Sequence, residues 1–561
     1  MENKKTTSQA IRRMYLGYRK TQYIIANAYL VAAEKGYLDF RANSELINFC
    51  NETNASLQKS DLKTIKDIVT PLEKEELKEL VLDVLFSESF ETRDFTEPSS
   101  NSLLTLVDKI LDIDGGGHIV ADFGSGQGKA LARFLVESQR KGYILKDLIG
   151  YEINLEHANV SRMALEILSV KEPRPFIVNC DILNLGACFF TRGYCFPPMG
   201  MKYCFKEKAR KSKLFKNIEF TSRNTFEWVF VDNMLSHMHE FGKAVAVVSG
   251  RSLFNQADEK YRKALVQSGL LEAIIELPSG SLNFAATKPY LLVFSHKNKS
   301  VKIINASDAS DAETNRINKL EINTEKVYSL YKSNATPTRK IEELSEISNL
   351  TPSSVLLDVY KPKNGVYLNE LAEVFTGNQY TLSVFEKNGM LCEKPTGYRI
   401  LTSSDIEDGL VGWESLRYID YKDNKFDKYA IKKDDIVLTS KSSKVKTVVV
   451  DIEPEEKILV TGGMIVIRPN VTRLNPTYLK TFLDSEQGQK TLKSIQKGSI
   501  VTTINSKDLA TIMVPVPNIE KQNEIANKYN SKLTTLYSLK QEVKKLEDSI
   551  KNFFLDECEA E

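Results

Sequence analysis

Cysteine is scarce and unpatterned in this chain. Seven residues (Cys50, Cys180, Cys188, Cys195, Cys204, Cys392 and Cys558) are scattered over 561 positions. An odd number without short regular spacing excludes a disulfide framework. A surplus of charge is missing too: 76 Lys and Arg face 74 Asp and Glu, a formal net charge of +2. Any affinity for nucleic acid must therefore come from local patches, and a histone-like polycation is excluded. No stretch reaches the about 18 uninterrupted apolar residues of a spanning helix, and Met1 to Ser8 is polar with no apolar run behind it. A cytoplasmic protein without membrane association is expected. A Gly-x-x-x-x-Gly-Lys-Ser/Thr loop and a clear nuclease-type carboxylate cluster are also absent, so neither a P-loop ATPase nor a nuclease centre is expected. His237 and His239 with Cys188, Cys195 and Cys204 have no Cys-x-x-Cys spacing to support a metal site, and none is expected.

What is present is an ordinary globular composition, 42% hydrophobic and 27% charged, in a chain long enough for roughly three to four domains. From Ile11 to about Phe90 apolar residues recur three and four apart (Tyr23, Ile24, Ala28, Val31; Leu77, Leu80, Leu85), which predicts helices. After Pro98 the pattern changes. A helix over Leu103 to Leu111 precedes the apolar run Ile119-Val120-Ala121, which ends at Asp122; glycines follow, then a helix from Ala130 to Gln139. Strands at 147–151, 176–178, 244–248, 271–277 and 290–294 alternate with helices at 156–169 and 261–268, which implies a doubly wound α/β sheet. Polar residues from about Ser307 to Pro352 suit a connector. Beyond Gly365 the texture turns to short β-rich runs such as Tyr398 to Leu401, Asp435 to Leu438 and Met464 to Ile467. From Ile519 onward there is no Pro or Gly. Leu539, Val543, Leu546, Ile550 and Phe553 step by four and three, the a and d spacing of a helix that packs on another, in this chain or a second copy.

The segment with the clearest chemistry is Asp122-Phe123-Gly124-Ser125-Gly126-Gln127-Gly128, between strand and helix. Glycines there let the backbone turn tightly and approach a ligand at a helix N-terminus. Glu152 ends the next strand, where a carboxylate can accept from ribose hydroxyls, and Asp181 ends the third, where one can accept from an exocyclic adenine amine. Three successive strand ends with one ligand-facing group each fit an adenosine-containing cofactor.

This arrangement resembles the modification subunit of type I restriction-modification systems, an adenine-N6 DNA methyltransferase that uses S-adenosylmethionine. Phe95-Thr96-Glu97-Pro98 looks like its motif for the cofactor's methionine, with Glu97 inserted. Gly150 to Asn154 and Met163-Ala164-Leu165 look like its second motif and following helix, and Gly242 to Val248, Leu270 to Pro278 and Lys288 to Phe294 match its later strands in order. The resemblance covers roughly residues 90 to 310. It implies a Rossmann-like S-adenosylmethionine-methyltransferase domain in which Phe95, Thr96, Asp122, Gly124, Gly126, Gly128, Glu152 and Asp181 hold the cofactor.

The family's catalytic motif is Asn or Asp, Pro, Pro, then an aromatic residue. The first side chain and a backbone carbonyl accept from the amine of a flipped adenine, and the ring stacks on the base. Here the chain's only Pro-Pro pair reads Phe196-Pro197-Pro198-Met199. Phe196 carries no acceptor and Met199 no ring. Losing such a charge-stabilising hydrogen bond typically costs ~10²- to 10³-fold in rate. Two readings follow: an enzyme that flips and methylates adenine, or a silent methyltransferase fold kept for DNA recognition and assembly. A third is altered chemistry, with Phe196 stacking on a flipped base. Asn475-Pro476-Thr477-Tyr478 mimics the motif but lies among the β-rich runs and reads as a turn.

Lys202, Lys206, Lys208, Arg210, Lys211, Lys213 and Lys216 follow the Pro-Pro pair, interleaved with Tyr203, Phe205 and Phe215. A basic loop beside a base-flipping pocket suits phosphate contacts. The C-terminal third resembles the specificity subunit of the same systems, through Leu368 to Val374 with Gly377, Lys433 to Leu438, Gly498 followed by Ile504, and Val514 to Pro517 before Gln522, Ile525 and Ala526. One target-recognition domain is present where that subunit usually has two. Lys441, Lys444 and Lys446 are candidates for contacts to the DNA backbone. The expected layout is a helical region at 1–93, the methyltransferase-like domain at 94–308, a connector at 309–365, an α+β recognition domain at 366–520 and a coiled-coil-type helix at 521–561. Expected partners are double-stranded DNA and either a second copy of the chain, reading a two-part site, or other restriction-modification or defence subunits.

Overall fold

A computed structural model describes residues 21–86, 99–169, 174–201, 209–282, 288–311, 321–357, 362–378, 380–407, 409–420, 424–441, 445–497 and 502–558. The chain divides into two compact units, Met1–Leu356 and Leu357–Glu561.

The first unit opens with four helices, α1 (Thr21–Glu34), α2 (Ser44–Ala55), α3 (Lys59–Val69) and α4 (Lys74–Phe86). Helix α1 is apolar on nearly every side and lies at the centre of this layer, with Ile25, Ala26, Ala28 and Tyr29 fully buried. Next come α5 (Asn101–Leu111), β1 (Ile119–Phe123), α6 (Lys129–Arg140), β2 (Asp147–Glu152), α7 (Leu155–Leu168), β3 (Phe176–Asn179) and β4 (Phe190–Cys195). After a short hairpin of Arg210–Lys211 with Glu219–Phe220 follow α8 (Phe226–Leu235), β5 (Met238–Ser249), α9 (Glu259–Gln267), β6 (Leu271–Glu276), β7 (Pro289–Phe294), β8 (Ser300–Asn305), α10 (Thr324–Lys332) and β9 (Thr338–Lys340). The described residues form a nine-stranded sheet in the order β9-β8-β6-β7-β5-β4-β1-β2-β3.

Strands β3, β2, β1, β4 and β5 run parallel, whereas β7 is antiparallel to both β5 and β6. The expected doubly wound α/β architecture is present, as a mixed sheet. Side chains alternate between its faces. Val120, Leu148, Ile177 and Val245 join one core with α1 to α7, and Ile119, Ala121, Phe123 and Ala246 join another with α8 and α9. Two expectations change. The N-terminal helices share the first of these cores with the sheet instead of forming a separate domain, and Tyr29 on α1 donates to Glu166 on α7 at 2.8 Å. The stretch read as a connector from 309 supplies α10 and the edge strand β9, whose three residues pair antiparallel with β8.

The second unit contains β10 (Ala372–Thr376), β11 (Leu391–Cys392), β12 (Tyr398–Leu401), β13 (Arg417–Ile419), β14 (Ile436–Thr439), β15 (Thr447–Val449), β16 (Lys457–Val460) and β17 (Met464–Pro469). They form two four-stranded sheets, ordered β10-β17-β14-β15 and β11-β13-β12-β16. Asp435 is 1% exposed and is held by a two-pronged Arg468 guanidinium at 2.9 and 2.8 Å, a geometry that compensates burial of the carboxylate. Helices α11 (Pro476–Asp484) and α12 (Glu486–Ile495) cover the first sheet. Asn475, the start of the motif mimic, is the N-cap of α11 and accepts from the Tyr478 N–H at 2.9 Å with Pro476 in the first turn.

The last helix, α13 (Ile519–Cys558), docks on the second unit by its first turns. The Gln522 side chain accepts from Asn475 N at 2.9 Å and donates to Pro517 O at 2.8 Å, and Tyr529 donates to Asp484 at 2.7 Å. Farther along, Leu536, Leu539, Val543, Leu546 and Ile550 are each half or more exposed. Among the described residues no helix is long and apolar enough to cross a membrane, and Cys50, Cys180, Cys188, Cys195 and Cys392 are free thiols.

Candidate cofactor and base site

The site is built at the carboxyl ends of the parallel strands, where the chain leaves β1 for β2 and β3 on one side and returns to β4 on the other. Such a switch point opens a crevice for ligands. Gly124, Gly126 and Gly128 all take positive φ (88°, 54° and 87°). At Gly128, the N-cap of α6, a Cβ would lie 2.4 Å from Ser161 Oγ, so the loop lies directly on α7. The N–H groups of Gly124 and Ser125 both donate to Tyr151 O, at 2.9 and 3.0 Å, and lash the loop to the end of β2.

Glu152 is 8% exposed. One of its carboxylate oxygens accepts from Gly126 N–H and the other from Asn154 N–H, both at 2.8 Å. Each oxygen can accept a second hydrogen bond, so the carboxylate is oriented by the loop and retains capacity for two hydroxyls. Asp181 is half-buried and caps the turn Ile182–Asn184, accepting from Leu183 N–H at 2.9 Å and from the Asn184 amide at 3.0 Å. Asp122 is 2% exposed inside β1, beneath the loop. The oriented carboxylates and the glycine turn fit an adenosine-bearing cofactor. Phe95 and Thr96 lie outside the described residues.

Strand β4 lies beside β1 with Cys195 opposite Phe123, which brings Phe196-Pro197-Pro198-Met199 to the end of the sheet next to Gly124. Phe196 and Met199 are half-buried and pack against the apolar core on the α1 to α7 side, Pro197 is buried and Pro198 exposed. Behind this loop stands Glu227 of α8, 2% exposed. It accepts from Ser249 N–H and Oγ at 3.1 and 2.9 Å, from Ser252 Oγ and from the Gly200 N–H. Burial pushes its carboxyl above the usual range, and these hydrogen bonds pull it partly back.

The described part of the basic segment is moored on the next turn of α8. Asp232 accepts from Ser212 Oγ and from Lys213 N–H at 2.7 Å, while Asn233 donates to Ile182 O at 2.5 Å. Arg210 donates to Leu183 O and is half-buried, whereas Lys211, Lys213 and Lys216 are exposed. Lys202, Lys206, Lys208 and Lys444 lie outside the described residues. In the second unit Lys441 is exposed, and Lys446 donates to Ile406 O at 2.9 Å, so that ammonium is shared with a backbone carbonyl. Among the described residues no group of three or more His, Cys, Asp or Glu could hold a metal ion.

Three side chains line the site in ways the sequence reading did not assign, Ile153 being read only as part of the Gly150 to Asn154 motif. Ile153, directly after Glu152, is 70% exposed and offers an apolar face beside the carboxylate. Phe230 of α8 lies against Gly124, its ring 3.4 Å from where a Cβ would stand. Glu227 is the third. An exposed isoleucine after a strand-ending acid was a usable signal, but nothing local marks Phe230 or Glu227 in the all-round apolar run of α8.

Comparison with known proteins agrees with this division of the chain. Residues 97–361 match the N-6 DNA methylase family, and residues 363–548 match the type I restriction modification DNA specificity domain. The chain is similar to the type I restriction enzyme MjaVIII specificity subunit of Methanocaldococcus jannaschii, 24% identical over 201 residues, covering 34% of this chain and 44% of that one. It is also similar to the type I restriction enzyme EcoBI specificity subunit of Escherichia coli, 26% identical over 148 residues, covering 26% and 31%. The chain thus spans less than half the length of these curated relatives. Among solved structures, the type I restriction-modification methyltransferase subunit from Streptococcus thermophilus superposes with a TM-score of 0.44 at 19% identity over 52% of this chain and 67% of that one. The type IIG restriction endonuclease BpuSI gives 0.44 at 11% identity over 91% and 72%.

Proposed function

Because the chain joins an N-6 DNA methylase domain to a type I restriction modification DNA specificity domain, we propose that it is a sequence-specific DNA-binding protein of a restriction-modification type system. It holds S-adenosylmethionine in its first unit and reads double-stranded DNA with its second. The observation that carries this is the alignment of glycine loop, Glu152 and Asp181 at the ends of three adjacent parallel strands. Glu152 would take the ribose hydroxyls, Asp181 the adenine amine, and Ile153 the face of the adenine ring. When bound, the cofactor supplies the methyl group. This chain's part is to fix it beside the loop after β4 and to present a flipped adenine there. Lys211, Lys213 and Lys216 would meet phosphates. The exposed apolar stripe of α13 would pair two copies, or one copy with another subunit of the system, in the cytoplasm.

A second reading, a recognition subunit with a silent methyltransferase fold, is favoured by one specific observation. Phe196 offers no acceptor for the amine and is packed against the core. The test is transfer of labelled methyl from S-adenosylmethionine to mixed-sequence DNA, beside calorimetric cofactor binding, on the wild type and Phe196→Asn. Transfer by the wild type supports the enzyme. Cofactor and DNA binding without transfer supports the silent subunit, and absence of cofactor binding would refute both.

A further inference from the structure

Arg210 stands among basic residues suited to phosphate, yet its guanidinium is engaged on the cofactor side of the sheet, where it donates to Leu183 O in the turn Ile182–Asn184. This is the turn that Asp181 caps, through Leu183 N–H at 2.9 Å and the Asn184 amide at 3.0 Å. The Leu183 N–H belongs to the same planar peptide as Ile182 O. At the opposite end of that plane Asn233 of α8 donates to Ile182 O at 2.5 Å. One peptide therefore stands between two side chains: Asn233 fixes its carbonyl, and its N–H fixes the Asp181 carboxylate. Hydrogen bonds in such a row polarise one another. Arg210 holds the next carbonyl along, so two successive peptides of the turn are held from outside it.

Both donors come from parts that are themselves fixed. Asn233 is 2% exposed, and its Oδ1 is buried without a hydrogen-bond partner among the described residues, so the amide donor is what this side chain contributes. The neighbouring Asp232 accepts from Ser212 Oγ at 2.5 Å, from Lys213 N–H at 2.7 Å and from Leu214 N–H at 3.4 Å, which ties the hairpin that carries Arg210 to the same stretch of α8. The hairpin is closed on itself by Ser212 N–H to Ile218 O at 2.9 Å. Phe215 and Phe220 pack on the buried Tyr261 ring, with centroids 5.5 and 5.1 Å away. Helix, hairpin and turn thus form a closed circuit of contacts that ends at Asp181.

We infer that Arg210 and Asn233 are positioning residues for the cofactor's adenine: they set the Asp181 carboxylate where it accepts from the exocyclic amine, and so set the preference for adenine over a purine without that amine. This rests on the reading of Asp181 as the acceptor of the amine, and it extends the cofactor site to a hairpin otherwise assigned to DNA. A carboxylate oriented for a donor rejects a ligand that brings none, because the acceptor then leaves water without gaining a partner. Orientation is what the two outer residues supply, since neither touches the base itself.

Calorimetry on the full chain tests this, with S-adenosylhomocysteine and its analogue carrying purine in place of adenine as the two ligands. The wild type should bind the first about tenfold more tightly. Arg210→Met keeps the length of the side chain and removes the donor, and Asn233→Leu does the same at the buried position. Each should lower the preference to about twofold by weakening S-adenosylhomocysteine alone. Arg210→Lys still offers a donor to Leu183 O and should regain most of it. Arg210 is half-buried on the hairpin, so its variants carry the test if Asn233→Leu does not fold. Loss of affinity for both ligands by the same factor would show a purely structural role and overturn the inference, as would a preference that neither substitution moves. A wild type that binds both ligands equally would overturn the Asp181 assignment, and the inference with it, while leaving cofactor binding intact. One that binds neither would overturn the proposed function as well.

Discussion

The loops that leave β1 and β4 are neighbours in one sheet, yet they are built from opposite materials. After β1 the backbone is moored by amides: Gly124 and Ser125 to Tyr151 O, Gly126 to Glu152. After β4 the chain is moored by grease, with Phe196 and Met199 against the core and one buried carboxylate, Glu227, behind Gly200. The first loop presents an oriented carboxylate and a tight glycine turn, the groups that the proposed cofactor would use. The second keeps the shape of a base-flipping loop without its acceptor. Under the proposed function, holding the cofactor and using it would fall to different loops, so that each could be changed without the other.

The most damaging break of the comparison is Glu152→Ala. It would remove the proposed acceptor for two ribose hydroxyls and strand the Gly126 and Asn154 amides, so calorimetry should show cofactor affinity reduced ~10²- to 10³-fold, with DNA binding by the second unit unchanged. Retained affinity would move the cofactor off the ends of β1 and β2. Next comes Phe196→Asn, which gives the second loop the acceptor it lacks. Methyl transfer should rise about 10²-fold while cofactor affinity stays within about twofold. A transfer rate that does not move would place the deficit elsewhere in the loop, at Met199 first. Asp181→Asn is milder because an amide oxygen still caps Leu183 N–H, so the affinity loss should be about five- to tenfold and smaller for a cofactor analogue without the adenine amine.

The smallest effect concerns Glu227. Burial raises its pKa in the folded chain. The stabilisation from its bound proton is thus complete below the unfolded value of about 4.3 and is lost as pH rises through the folded value. Thermal melting of the wild type should lose ground to Glu227→Gln as pH is raised from about 4.5 to 7. A difference between the two that is flat in pH would show that Glu227 is already ionised throughout that range.

Legibility in the sequence followed the same divide. Strand β1, its glycine loop and Glu152 were readable because an apolar run, positive-φ glycines and a strand-ending acid are all local signals. Helix α13 was readable because nothing after Ile519 can break it. Strand β4 was not named at all. Thr191, Arg192 and Gly193 interrupt any alternation, and Gly193 is tolerated there because the Phe190 ring fills the space where its side chain would be, with ring atoms 2.3 Å from a Cβ. Edge strand β9, Thr338–Lys340, is three polar residues whose strand character comes wholly from pairing with β8. Helix α8 hid Phe230 and Glu227 because an apolar run with no free face shows no period that separates core from site.

Gly128 and Ser161 lie in such close contact that neither can be enlarged without meeting the other. A methyl group at 128 would collide with the serine hydroxyl, and a backbone at φ 87° resists any side chain. Shrinking Ser161 to glycine removes the hydroxyl but leaves its Cα 3.3 Å from that methyl group, and the backbone penalty stays. Enlarging Ser161 presses on the loop from below. A side chain at 128 is thus blocked twice, by the neighbouring helix and by its own backbone, whereas Phe196 on the adjacent loop carries neither constraint, so the turn that would seat the cofactor tolerates less change than the loop that would face the base.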